Sequence, residues 1–315
     1  MQPLSKTIYE KYQVRKTRAQ KNDFIELMKN RYPALCVEEA GGRKSRNLIL
    51  GNIQNANIIL TAHYDTVAQS IMPNIVMPYR KGLRFLYALV TILPFILIGL
   101  AVYDLAAFFS LSQTARLLLF LAVYYALFFG KFYLGKPNPN NANDNTSGVI
   151  TLIEAWEKLS EEERAQTAII FFDHEEYGCI GSKAFFHLHR KEMENKLLLN
   201  FDCVGDGNTF LFVCPNDLSN ARLSLLKDAL CENEMKRVVF DNRKNADHSS
   251  DHKHFPVGIA VSAMNESKRL GLHFSRIHTK NDTVLDETNI EFLSERIKNL
   301  IFEMNRSPRN KKQTG

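Results

Sequence analysis

Carboxylates and imidazoles recur in this chain directly after short apolar runs. NIIL (57–60) is followed by TAHYDT, which carries His63 and Asp65. TAIIFF (167–172) is followed by DHEEYG, with Asp173, His174, Glu175 and Glu176, and KLLLNF (196–201) by Asp202. Asp144 lies in NANDNTSG ahead of a helical stretch, and SRIHTKNDT after the last apolar run brings His278 and Asp282. Alone, each has a bland reading: a structural histidine, an N-cap aspartate, a solvated pair of glutamates. Together they repeat one pattern at successive strand ends. Acids gathered at one place are costly unless cations neutralise them. Histidine with Asp and Glu is a ligand set for Zn²⁺, with Mn²⁺ or Co²⁺ as possible substitutes.

The elements that must position these residues alternate. Strands are expected at 48–50, 57–61, 167–172, 196–201, 209–213 and 257–263. Helices are expected at 5–30, 146–159, 180–194, 217–234 and 288–305. Such alternation predicts an α/β fold with a largely parallel sheet, in which ligands bind at the carboxyl ends of the strands.

One segment does not fit a soluble domain. Residues 86–103 carry no charge over 18 positions, and 117–130 add fourteen more uncharged residues. Eighteen helical residues span roughly 27 Å, close to a hydrocarbon core of about 30 Å. A helical hairpin with spans near 86–103 and 117–134 follows, with Asp104 and Arg116 in its connecting loop. A core hairpin or an apolar lid is the competing reading, which Pro94 in the first span disfavours. The first thirty residues are polar and basic, unlike a signal peptide, so the hairpin is expected to direct insertion. Arg80, Lys81 and Arg84 precede the first span, and Lys131 and Lys136 end the second. The positive-inside rule then places both termini, and the catalytic domain, on the cytoplasmic side of the cell membrane.

Composition limits the alternatives. Across 315 residues, 45% hydrophobic and 23% charged content supports a sizeable core and argues against disorder. The net charge of +6 suits an anionic membrane surface as well as nucleic acid and decides neither; no nucleic-acid partner is expected. Five cysteines, none in a CxxC pair, argue against a disulfide framework.

The strings TAHYDT, ANDNTSGV, FFDHEEYGCIGSKAF, NFDCVG, SSDHKHF and IHTKNDT resemble the successive motifs of the di-zinc aminopeptidases, relatives of glutamate carboxypeptidase and glutaminyl cyclase. The resemblance runs from about residue 57 to 290, except for the hairpin. It implies a three-layer α/β/α zinc-exopeptidase (phosphorylase/hydrolase-like) fold with a mixed, mostly parallel sheet, interrupted by the inserted transmembrane hairpin. It also implies two zinc ions, one held by His63 and Asp202, the other by Glu176 and His278, with Asp144 bridging both. Glu175 would be the general base. Asp65 would orient His63 through its second ring nitrogen. A cis peptide at Asp144–Asn145 is often found in the family. The tyrosine that some members carry just before the S-D-H segment (Ser250–His252) is absent; His248 is the candidate in its place.

The expected organisation is a discontinuous catalytic domain (1–78 and 137–304), the membrane hairpin (79–136) and a disordered basic tail (305–315). The expected function is removal of N-terminal residues from peptides by a membrane-anchored zinc aminopeptidase. The alternatives are a single-zinc glutaminyl cyclase-like aminoacyltransferase and a non-catalytic membrane scaffold of the same fold. The lipid bilayer and peptides are the expected partners, and the oligomeric state is left open.

Overall fold

Apolar residues alternate between two faces of a central sheet, and this sets the architecture. The computed structural model describes residues 1–41 and 44–312, with side-chain placements for all of these except 131–133 and 307–312. Two helices, α1 (Pro3–Lys11) and α2 (Arg18–Arg31), precede strands β1 (Cys36–Ala40), β2 (Ser45–Gly51) and β3 (Ile58–His63). The long helices α3 (Lys81–Phe108) and α4 (Gln113–Leu134) follow. Then come α5 (Gly148–Lys158), α6 (Glu161–Ala165), β4 (Thr167–Phe172), α7 (Ile180–Leu188), α8 (Arg190–Met193) and β5 (Leu197–Phe201). β6 (Thr209–Cys214), α9 (Asn220–Ala229), β7 (Arg237–Asn242), β8 (Gly258–Ser267), β9 (Gly271–His273) and α10 (Glu287–Lys312) complete the chain.

The strand order is β1-β2-β4-β3-β5-β8-β6-β7, with β9 paired to β8. The central run β4-β3-β5-β8 is parallel. β1, β2 and β6 introduce antiparallel pairs. Period-two alternation sends Leu60, Phe171 and Leu199 to the face covered by α2, α5, α9 and α10. It sends Ile59, Ile170 and Leu198 to the face where Phe185 of α7 and Met193 of α8 pack. Helices on both faces of a mixed, mostly parallel sheet make the three-layer α/β/α architecture expected from the sequence.

Several boundaries differ from the expectation. The helix expected over 5–30 is two helices. Thr17 and Gln20 form a reciprocal capping box that starts α2 afresh. The intervening turn buries Arg15 completely. The helix expected over 217–234 stops at Ala229, and the chain re-enters the sheet as β7. β1, β7 and β9 lie at sheet margins, where half-exposed strands lack a continuous apolar run. At the other end, α10 runs to Lys312, beyond the point where a disordered tail was expected to begin. Once Leu293, Ile297 and Ile301 dock on the core, each further residue adds a backbone hydrogen bond at little cost. Residues 313–315 of that expected tail lie outside the described residues.

α3 and α4 form the expected antiparallel hairpin, packed together but not into the core. Gly99 allows the close approach, since a Cβ there would lie 2.8 Å from the Phe120 ring. Phe85, Leu86, Leu97, Leu117 and Leu118 are more than half exposed, the kind of apolar surface that marks a protein or membrane interaction site. The turn is tighter than expected, so Asp104 and Arg116 sit within the helices and not in the loop. Arg116 is accommodated there by Tyr103: its guanidinium lies 4.0 Å from the ring centroid, and its Nε donates to the Tyr103 carbonyl at 3.1 Å.

Candidate active site

Parallel pairing aligns the strand ends. His63 stands level with Phe172 across β3 and β4, and Thr61 with Asn200 across β3 and β5. The residues just beyond β4 and β5 therefore emerge beside His63. On the β4 side, a turn in which Gly178 and Cys179 donate to the Glu175 carbonyl (2.8 and 2.9 Å) presents Glu175 and Glu176. That turn needs Gly181, because a Cβ there would lie 2.1 Å from the Asp173 carbonyl oxygen. On the β5 side, Asp202 follows directly.

Asp144 arrives from the segment before α5. The amides of Asn143 and Asp144 donate to the Asp282 carboxylate at 2.9 and 3.1 Å, and Asn145 Nδ2 donates to the Phe201 carbonyl at 2.8 Å. The Asp144–Asn145 peptide is cis. His278 comes from the loop after β9, where its carbonyl accepts from the Ser70 amide at 2.7 Å.

These side chains converge. His63 Nε2 lies 3.2 Å from Asp144 Oδ1 and 3.5 Å from Asp202 Oδ1. His278 Nε2 lies 3.1 Å from Asp144 Oδ2 and 3.2 Å from Glu176 Oε2. Asp144 thus offers one oxygen to each imidazole. Ligands about 2.1 Å from a tetrahedral zinc stand about 3.4 Å from one another, so both halves have the spacing of ligands around an ion. Glu176 Oε1 is buried with no hydrogen-bond partner, a lone pair that a cation would satisfy. The residues present fit zinc.

The electrostatics agree. Burial lowers both imidazoles, but the carboxylates facing His63 and His278 outweigh it and raise their pKa values well above the ordinary range. Burial also pushes Glu175 well up and Glu176 to about 7. For Asp202, burial is outweighed by His63, and its pKa falls. The cluster is short of positive charge.

Asp65 departs from its expected contact. His63 Nδ1 meets the Asp65 backbone carbonyl at 3.0 Å, whereas the nearer carboxylate oxygen stands at 3.7 Å. The carboxylate instead receives the Glu175 and Glu176 amides at 3.0 and 3.3 Å. Two amides facing the same carboxylate make better hydrogen bonds than a ring nitrogen at the longer distance.

Other residues extend the site. Asp173 is structural, forming a buried ion pair with Lys21 and accepting from the Arg46 amide at 3.1 Å. His248 Nε2 lies 2.9 Å from Ser262 Oγ, and its buried Nδ1 has no hydrogen-bond partner. The Cys203 thiol falls within ligand distance of Asp144 and Asp202, yet burial pushes its pKa well up and keeps it protonated, a poor ligand. The sequence reading missed Arg15. Its guanidinium donates to the carbonyls of Tyr12 and Tyr64 and to Thr146 Oγ1 (3.1 Å). It thereby joins the exit of β3 to the Asp144 segment. The T-x-x-Q box at 17–20 was the available signal that a turn, and not a helix, precedes it.

A cavity of about 540 Å³ opens over the cluster, within the range of about 300–1,000 Å³ typical of ligand sites. Asp144, Glu175, Glu176, Asp202, His248 and His278 line it.

The profile of peptidase family M28 matches residues 124–301. No curated protein matches the chain by sequence. Among solved structures, the Legionella pneumophila LapA aminopeptidase superposes with a TM-score of 0.56 at 15% identity, covering 95% of this chain and 68% of that one. LapB from the same organism gives 0.56 at 13% identity, covering 96% and 70%. The Macrostomum lignano glutaminyl cyclase gives 0.54 at 13% identity, covering 96% and 89%. At these identities the superpositions establish the fold, a frame shared by peptidases and a cyclase. The profile covers more than half of the chain and includes Asp144, Glu175, Glu176, Asp202 and His278. The chain belongs to peptidase family M28, and is a metallopeptidase.

Proposed function

We propose that this chain is a membrane-anchored, two-zinc aminopeptidase whose catalytic domain faces the cytoplasm. One observation carries the reading: the two oxygens of Asp144 face His63 Nε2 and His278 Nε2 at 3.2 and 3.1 Å. Such a carboxylate suits a bridge between two ions. His63 and Asp202 would hold one, Glu176 and His278 the other, with Mn²⁺ or Co²⁺ able to replace zinc. The chemistry these ions supply when bound is polarisation of the scissile carbonyl and acidification of a water.

The chain's own groups do the rest. Glu175 accepts the proton of the attacking water and delivers it to the leaving amine. Its burial favours proton uptake. Asp65 positions Glu175 and Glu176 through their amides. The acidic cluster attracts the free ammonium of a peptide N-terminus, which makes the reaction an exopeptidase one. The His248 side chain, which lines the cavity, is the group we assign to contact substrate.

The exposed apolar surface of α3 and α4 supports membrane anchoring. We take residues 1–78 and 137–304 as the catalytic unit and 79–136 as the inserted anchor. The glutaminyl cyclase reading requires only one zinc. The pairing of His63 with Asp202 as well as Asp144 favours two. The test is metal analysis of the detergent-purified chain with a panel of aminoacyl and glutaminyl substrates. Two zinc ions and release of N-terminal residues are expected. One ion with cyclisation of N-terminal glutamine would overturn the proposal.

A further inference from the structure

The cavity over the cluster is not closed by the catalytic domain alone. Arg84, Tyr87, Ala88 and Thr91 of α3 also line it. Their spacing is i, i+3, i+4 and i+7, one face of a helix. The root of the hairpin thus supplies a wall of the active-site cavity, and several contacts hold it there. Lys81 Nζ donates to the Lys244 carbonyl at 3.0 Å, and Tyr87 Oη to the Pro73 carbonyl at 2.7 Å. Arg84 forms an ion pair with Asp247, beside His248, and donates to its carbonyl at 3.1 Å.

The wall beside it is equally fixed. Val76 and Phe274 exchange backbone hydrogen bonds at 3.0 and 3.2 Å, and Asn74 donates to the Ile277 carbonyl at 3.2 Å. This pins the segment between β3 and α3 to the loop that carries His278. Met72, Ile75, Val76, Phe274 and Ile277 give this wall an apolar lining. Away from the catalytic cluster, the charged side chain lining the cavity among the described residues is Arg84, and Asp247 already neutralises it. No charge is left there to match a charged substrate side chain.

We propose that α3 and the 72–76 segment form a subsite for a bulky apolar side chain at the substrate's N-terminus, so that the membrane hairpin sets specificity as well as location. This rests on the aminopeptidase reading. Peptides beginning with Leu or Phe fill the subsite; those beginning with Gly, Ala, Asp or Lys do not.

The experiment uses the full chain in detergent, loaded with zinc. It compares kcat/KM for leucyl, phenylalanyl, alanyl and lysyl amides in the wild type, Ala88→Trp and Leu89→Trp. Ala88 faces the cavity, whereas Leu89 is its neighbour on the helix, 48% exposed and outside the cavity lining. The wild type is expected to prefer leucyl over alanyl amides by about tenfold or more. Ala88→Trp should abolish that ratio, and Leu89→Trp should keep it. An unchanged ratio in Ala88→Trp, or a wild type that prefers lysyl amides, overturns the subsite.

A second readout needs no turnover. In a background with Cys36→Ser and Cys231→Ser, leucinamide should protect the thiol introduced by Ala88→Cys from a maleimide, but not one introduced by Leu89→Cys. Equal labelling with and without leucinamide overturns the subsite. Protection at position 88 without cleavage of any amide would instead break the aminopeptidase reading and leave the subsite standing.

Discussion

Asp65 holds Glu175 through the backbone: its Oδ1 accepts from the Glu175 amide at 3.0 Å, and its Oδ2 from Glu176 at 3.3 Å. The carboxylate next to the proposed ligand His63 therefore shapes the acidic turn after β4, while the Asp65 carbonyl meets the imidazole. Asp65→Ala should leave two amides without their acceptor. A buried donor left unpaired costs about 1–3 kcal/mol. The variant should unfold at lower temperature even without metal, and its kcat should fall because Glu175 is displaced. Wild-type melting and turnover would show that the two hydrogen bonds are dispensable.

In the proposed two-zinc arrangement Glu175 holds neither ion. Glu175→Gln keeps the shape of the side chain and removes its proton affinity. Zinc content should stay near that of the wild type while kcat drops by about 10²–10⁴. Loss of zinc in parallel with activity would make Glu175 a ligand instead.

The two halves of the cluster can be separated. His278 serves only the half with Glu176, whereas Asp144 serves both. His278→Ala should lower zinc from two ions per chain to about one, and Asp144→Ala should abolish tight binding of both. Equal losses in the two variants, measured by elemental analysis after dialysis, would contradict a bridging Asp144.

Arg15 offers a test of stability apart from metal. Its fully buried guanidinium ties the β3 exit to the Asp144 segment. Burial lowers its pKa to about 10, still high enough to keep the charge at neutral pH. Arg15→Met strands the carbonyls of Tyr12 and Tyr64 and should cost about 3 kcal/mol. Chemical denaturation of the metal-free chain measures this, and a change under 1 kcal/mol would show that the pocket reorganises around the methionine.

How much was legible in advance follows from where each residue sits. His63, Asp202 and the Glu175–Glu176 pair stood out because buried parallel strands are continuous apolar runs, so the polar residues ending each run are conspicuous. Arg15 was missed because two of its three acceptors are backbone carbonyls, which carry no side-chain signature. The edge strand β1 (CVEEA) was missed because it buries little apolar surface. The share of α3 in the cavity wall was hidden for a different reason. A span uniformly apolar by composition does not reveal which face meets protein and which meets lipid, and only the docking of Arg84 and Tyr87 decides it.

Orientation in the membrane is the remaining question, and the helix lengths frame it. α3 has 28 residues and α4 has 22, so they extend roughly 42 and 33 Å against a hydrocarbon core of about 30 Å. The surplus of α3 lies at its root, where Lys81 and Arg84 dock on the 244–247 loop. That docking holds the basic root at the catalytic domain, which would keep it outside the hydrocarbon of the proposed span. Arg80, Lys81 and Arg84 at one root and Lys131 and Lys136 at the other outnumber the single arginine near the tip, which Asp104 offsets. On the proposed membrane-anchored reading, the positive-inside bias would put both roots, and the cavity with them, in the cytoplasm. In intact cells a membrane-impermeant maleimide should label Ser110→Cys at the tip and spare Cys231, which is exposed on the catalytic domain. After permeabilisation both should react. Labelling of Cys231 in sealed cells, with protection at position 110, would invert the topology and put the peptidase on the other face of the membrane.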